Sequence, residues 1–188
     1  MTFDENLRFG QVAESAISRW LQSRGHMVFP AYQVDHKTGK GPQLFSRDGN
    51  HVLPDMMTFG NGRTMWVEAK HKTCFTWHRL SGRWTTGIDA HHYQDYLTVA
   101  NKTGVNVWLM FFHPKATPNE RDVRQGCPDE CPTGLFGGEI SRLDTCINHR
   151  STGYDARSAF KGHGRHGMVY WAHGDLTRIA PSEDLVAA

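Results

Sequence analysis

An Asn-Gly hairpin in the first half of the chain restricts the fold more than any other local feature. Asn50 to Phe59 is mostly strand-like, Gly60-Asn61-Gly62 supplies a turn, and Arg63 to Lys70 returns as a second strand. Asn-Gly adopts the positive φ of a tight hairpin turn at little cost. In the returning strand Met65, Val67 and Ala69 alternate with Thr64, Trp66, Glu68 and Lys70. Strand side chains alternate between faces, so Glu68 and Lys70 share one face. The hairpin folds Asp55 back beside them. Pro54 has no N–H to give to a ladder, which predicts a bend or an edge where Asp55 turns toward solvent.

Two acids and a lysine on one sheet suit phosphodiester hydrolysis. That reaction needs an activated water and stabilisation of negative charge on phosphate. Carboxylates hold Mg²⁺ while leaving positions for water and phosphate, and the metal acidifies water and acts as a Lewis acid. A neighbouring lysine can orient the water, take its proton if its own pKa is depressed, or stabilise the pentavalent state. An isolated Glu-x-Lys on a surface hairpin would be no more than solvated charge. The surrounding order of elements separates the two cases.

Residues 4 to 24 predict an amphipathic helix, with Val12, Ala13, Ala16, Ile17, Trp20 and Leu21 on one face and Gly25 as its stop. Glu14 lies at the margin of that face, one turn after Gly10. Met27 to Val34 reads as a first strand. Gly87 to Gly104 predicts a second helix, with Asp89 as N-cap, Tyr93, Tyr96, Leu97 and Ala100 as its apolar stripe, and Gln94 on the flank. Val105 to Phe112 is almost wholly apolar, as in a strand covered on both faces. Residues 167–172 read as a late strand, and 181–185 as a short helical cap. The order is helix, three strands, helix, strand.

Gly10, Glu14, Pro54-Asp55, Glu68-Ala69-Lys70 and Gln94, in that order, resemble the PD-(D/E)xK nuclease superfamily. The branch they resemble is that of the archaeal-type Holliday junction resolvases and related phage or restriction-like nucleases. The resemblance spans roughly residues 5 to 112. It implies an α/β fold with a restriction-endonuclease-like mixed sheet flanked by helices, an αβββαβ core. It implies Asp55, Glu68 and the Ala69 carbonyl as ligands of Mg²⁺ or Mn²⁺, with Glu14 helping to position metal or water. Lys70 becomes the catalytic lysine, and Gln94 a supporting polar group. DNA is the implied partner, and cutters of this kind are often homodimers.

Length and composition agree. The chain has 188 residues, 38% of them hydrophobic and six of them Trp, enough for one domain with one core over residues 1–188. No long apolar run predicts a membrane span, and the polar, acidic start does not read as a signal peptide. The expectation is a cytoplasmic protein. The formal charge is only +2, which neither demands nor excludes nucleic acid.

Two segments outside the motif are candidate DNA contacts. Lys37, Lys40 and Arg47 belong to a Gly-rich basic stretch before Asp55, suited to phosphate contacts. Residues 71–86 carry Lys72, Trp77, Arg79 and Arg83 around a Leu80-Ser81-Gly82 turn. Aromatics interleaved with bases suit stacking on unpaired bases; the alternative is a hairpin packing its Trp residues on the body. Residues 113–150 look like an irregular insertion. In it Cys127-x3-Cys131 and Cys146-x2-His149 have the paired spacing of a structural Zn²⁺ site. Three alternatives stand beside zinc: reduced buried thiols, a disulfide, or a fourth ligand from His163 or His166. Cys74 is expected to lie outside this cluster.

The function expected is a metal-dependent DNA endonuclease, structure-selective for junction or branched DNA. The alternative is a non-catalytic nucleic-acid-binding or zinc-stapled interaction module on the same scaffold.

Overall fold

The computed structural model describes residues 3–31, 42–151 and 167–187; within these, side chains are described from residue 11 to residue 185. Helix α1 (Phe3–Ser23) and strand β1 (Met27–Pro30) open the chain. Two hairpins follow, β2 (Gln43–Ser46) with β3 (Gly49–Val52), then β4 (Met56–Gly60) with β5 (Arg63–His71). A third joins β6 (Thr76–His78) to β7 (Arg83–Asp89), and α2 (Ala90–Thr103) leads into β8 (Asn106–His113). Next come α3 (Glu120–Arg124), β9 (Gly134–Glu139), α4 (Ile140–Asp144) and β10 (Ile147–Ser151). β11 (Met168–Ala172), a 3₁₀ turn (His173–Asp175), β12 (Thr177–Ala180) and α5 (Ser182–Ala187) close it.

The central sheet has the order β1-β4-β5-β8-β9-β12. β5 and β8 run parallel and the other pairs antiparallel, so the sheet is mixed. The α1, β1, β4, β5, α2, β8 succession gives the expected αβββαβ core, a restriction-endonuclease-like arrangement. The turn between β4 and β5 has both central residues at positive φ, Asn61 at 51° and Gly62 at 71°. That is the geometry the right-handed twist of a hairpin favours.

Helices cover the sheet on both sides. Ala13, Ala16, Ile17 and Leu21 of α1 pack on Val67, Ala69, Met110 and Phe112. On the other face Tyr93, Tyr96 and Val99 of α2 pack with Trp66, Leu109 and Phe111. That core continues into a second, antiparallel sheet, β10-β11-β7-β6, through Trp84, Ile88, Val169 and Trp171. β8 is buried from both sides, which is why its sequence is a continuous apolar run.

Several boundaries differ from the sequence expectation. The strand expected from Asn50 to Phe59 breaks at Leu53-Pro54-Asp55, and β3 pairs with β2 in a separate two-stranded sheet. The second helix starts at Ala90, because residues 83–89 form a strand paired with β11. Asp89 sits at the N-cap but makes no side-chain capping bond. The 113–150 segment is not a loop-like insertion: β9 extends the central sheet beside β8, and β10 edges the second sheet. Among the described residues no helix is long and apolar enough to cross a membrane.

His113, at the end of β8, is fully buried and stacks on Phe75 with ring centroids 3.7 Å apart. Burial, followed by the nearby Lys72 charge, pushes its pKa down to about 3. An unfolded histidine titrates near 6.5. As pH falls from about 6.5 toward 3, the unfolded chain therefore takes up a proton that the folded chain refuses, and stability is lost. His113→Phe should keep the stacked ring and flatten the fall in unfolding free energy across that range. Denaturant melts at a series of pH values check it; an unchanged slope contradicts it.

Candidate active site

The two faces of β5 carry different chemistry. Val67 and Ala69 point to α1, whereas Trp66 packs toward α2. Glu68 shares that second side and is only 1% exposed. A carboxylate this deep needs a charge partner. Lys70, two residues on and on the same face, brings its ammonium against Glu68 Oε1. The Tyr96 hydroxyl of α2 is within hydrogen-bonding reach of the same carboxylate.

Asp55 enters from the other limb of the hairpin, one residue before β4. Its Oδ2 accepts the Ala69 backbone N–H at 2.8 Å. Pro54 breaks the strand there and lets Asp55 lie against the backbone between Glu68 and Lys70. Glu14, half-buried on α1, completes the group from the opposite layer.

Electrostatics bind these groups into one unit. Burial, then the Glu68 charge, push the Asp55 carboxyl well above its ordinary range, with Lys70 opposing. Glu14 is raised as well, first by burial and then by Glu68, against the pull of Lys70. Burial alone would disfavour the Lys70 ammonium, but Glu68, Asp55 and Glu14 outweigh it and raise its pKa. Lys70 is therefore held charged at neutral pH. That charge suits orienting water and stabilising negative charge on phosphate. Lys72 behaves oppositely: burial and the Lys70 charge lower it to about 8.

Neither oxygen of Glu68 has a hydrogen-bond partner of normal geometry. Buried carboxylate oxygens that have an ion pair but no regular hydrogen bond, beside a second carboxylate, suit a hard cation, and Mg²⁺ needs only one or two carboxylates, the rest being water and phosphate. Asp55 and Glu68 fit that donor set. Among the described residues, however, no group of three or more His, Cys, Asp or Glu side chains is placed to hold a metal ion. Glu14 thus does not join them in a ready-made three-acid site.

The zinc expectation fails on the same ground. Cys127, Cys131, Cys146 and His149 are not assembled. The Cys131 thiol is buried against the Phe75 carbonyl at 3.8 Å, and Cys146 faces the Arg142 carbonyl at 3.5 Å. His149 is stacked between His78 and Tyr170. Burial raises the Cys127 and Cys146 thiols and pushes Cys131 up to about 12. Cys74, expected apart, is instead the cysteine near Cys127 and Cys131, while Cys146 neighbours Arg142 and Asp175. Strand pairing of β9 and β10 holds this segment.

The other expected residues divide. Gln94 is solvent-exposed. The residues of α2 that feel the acid cluster are Tyr96 and His92, whose pKa is lowered by burial and then by Lys70. In the sequence Tyr96 reads only as apolar stripe, and its hydroxyl gives no separate signal. Arg47 is exposed in the β2–β3 turn; Lys37 and Lys40 lie outside the described residues, as do His163 and His166. Arg83 pairs with Asp175 at 3.4 Å, while Trp77 and Arg79 face an open cavity on the β6–β7 hairpin.

No protein-family model matches the chain, and no curated protein matches it. Among solved structures, a Holliday junction resolvase from Archaeoglobus fulgidus is similar, with a TM-score of 0.49 and 9% sequence identity. The match covers 95% of this chain and 100% of that one.

With Asp55 ionised, its unfavourable environment costs stability. Asp55→Asn keeps an acceptor for the Ala69 N–H and removes the charge. Without divalent metal it should raise the melting temperature by roughly 2–4 °C, the shift that about 1 kcal/mol gives in a chain this size. Calorimetry in EDTA checks this; a lowered melting temperature contradicts it.

Proposed function

We propose that this chain is a divalent-metal-dependent nuclease that hydrolyses phosphodiester bonds within DNA, with junction or branched DNA as its substrate class. The observation that carries the reading is the buried Glu68 carboxylate paired with half-buried Lys70, with Asp55 anchored to the backbone between them. The sequence resemblance built on Pro54-Asp55 and Glu68-Ala69-Lys70 supports it. So does the mixed sheet that brings those two strings together.

Asp55 and Glu68 would hold Mg²⁺ or Mn²⁺. When bound, such an ion supplies Lewis-acid stabilisation at phosphate and a more acidic water. The chain's own groups do the rest. Lys70, kept as ammonium by three acids, donates hydrogen bonds and offsets the negative charge that grows on phosphate during attack. The Tyr96 hydroxyl lies beside the Glu68 carboxylate, placed to donate to it. The Ala69 N–H fixes Asp55, so the two acids keep their separation. Glu14 adds negative charge from α1 and helps to hold Lys70 protonated.

Plasmid nicking in Mg²⁺ and Mn²⁺ is the direct test. Lys70→Ala should lower the nicking rate by at least about 10²-fold, the scale of losing one preorganised charge donor. Removing Lys70 also leaves Glu68 uncompensated, so Lys70→Arg is the companion variant: it keeps the charge, and it should remain folded by circular dichroism yet be strongly impaired. Nicking by either variant at the wild-type rate, or no nicking by the wild type with either metal, contradicts the proposal.

A further inference from the structure

The tip of the β6–β7 hairpin and helix α3 enclose an open cavity of about 420 Å³. Trp77, Arg79, Arg121, Arg124 and Gln125 line it, with His78 and Leu80 at the turn. Three of these residues are arginines and none is an acid, a local concentration of positive charge in a chain whose net charge is only +2. None of the three arginines has an ion pair among the described residues, whereas Arg24, Arg83 and Lys102 do.

Both walls are fixed from behind. The hairpin tip is closed by the Gly82 N–H donating to the His78 carbonyl at 2.9 Å. His78 stacks on His149 at 3.8 Å, and His149 stacks on Tyr170 at 4.3 Å. On the other side Asn119 caps α3: its Oδ1 accepts the Asp122 N–H at 2.9 Å, and its Nδ2 donates to Asp122 Oδ2 at 2.7 Å. Arg121 and Arg124, three apart, therefore share one helix face. Trp77 meets Trp84 edge-on, centroids 5.2 Å apart and planes at 67°. It also borders a neighbouring cavity of about 430 Å³ with Arg83 and Trp84.

We propose that this cavity is a nucleotide subsite, in which the arginines hold backbone phosphates of an unpaired nucleic-acid strand and Trp77 stacks on one of its bases. Guanidinium forks match phosphate oxygens bidentately. An aromatic ring lining two cavities offers stacking area that only an unpaired base can use, since paired bases already stack on their neighbours. The position fits a substrate strand. Trp77 is seven positions after Lys70 along the chain, a reach of at most about 25 Å, or about seven base-pair rises. The assignment deepens the nuclease reading and rests on it for the identity of the ligand as substrate.

Binding is measured without turnover, by anisotropy of a labelled single-stranded oligonucleotide and its duplex in EDTA, over about 50–200 mM salt. The double variant Arg121→Ala/Arg124→Ala should bind the single strand at least about tenfold more weakly. Its salt dependence should be shallower by about 1.4 in slope, roughly 0.7 for each single-strand phosphate no longer neutralised. Trp77→Leu should lose about fivefold or more of single-strand affinity, with less effect on duplex. Unchanged affinity and slope in the arginine variant overturns the subsite. Equal, arginine-dependent binding of polyglutamate overturns its assignment to nucleic acid. Arginine-dependent oligonucleotide binding without cleavage in any metal supports the subsite while the nuclease reading fails; cleavage with arginine-independent binding overturns the subsite alone.

Discussion

Glu68 and Lys70 lie on the face of β5 that meets α2, and their pairing governs the site around them. A carboxylate 1% exposed is tolerable only because an ammonium from the same strand lies against it. The alternation of a β-strand delivers that partner without any long-range folding event: residues two apart share a face. Asp55 and Glu14 then act on an existing pair. They keep Lys70 charged, at the expense of raised carboxyl pKa values of their own.

Each remaining element serves to bring those groups within reach. The Asn61-Gly62 turn sets the β4–β5 register, with Met56 opposite Val67, which places Asp55 at the Ala69 N–H. Pro54 ends the preceding strand so that Asp55 is not consumed by a ladder. The parallel β5–β8 pairing lets α2 return over Glu68 and put the Tyr96 hydroxyl against it. α1 packs Ala13 and Ile17 on the opposite face, and Glu14, at the edge of that packing, brings its charge to the same group. Strain of this kind, like charges gathered where burial disfavours them, is characteristic of functional sites.

The parts of the fold legible in the sequence are those fixed by local pattern. The hairpin, the αβββαβ order and the neighbourhood of Asp55, Glu68 and Lys70 follow from turn chemistry and two periodicities. What depends on partners distant in sequence is hidden. Gly134-Leu-Phe-Gly-Gly-Glu139 reads as loop, yet it is a sheet strand beside β8. Its glycines are there because the backbones approach closely: a Cβ at Gly137 would fall 2.4 Å from the Leu109 carbonyl oxygen. The same segment's cysteines mimic a zinc pattern by spacing alone, and the fold sends Cys146 and His149 away from Cys127 and Cys131. On α2, the apolar stripe and the site share Tyr96, so a residue read as core also touches the acid cluster, while the polar Gln94 on the flank is left in solvent.

The central claim is that Glu68 and Asp55 form a cation-seeking pair held ready by Lys70. Thermal melting of the full chain across a Mn²⁺ titration tests it most directly, with Glu68→Gln in parallel. A ligand that binds only the folded state stabilises it by about 2.7 kcal/mol at a concentration 100 times its Kd. The account predicts a saturable rise in the wild-type melting temperature and little or none in Glu68→Gln. No rise in the wild type, or an equal rise in both proteins, would contradict it.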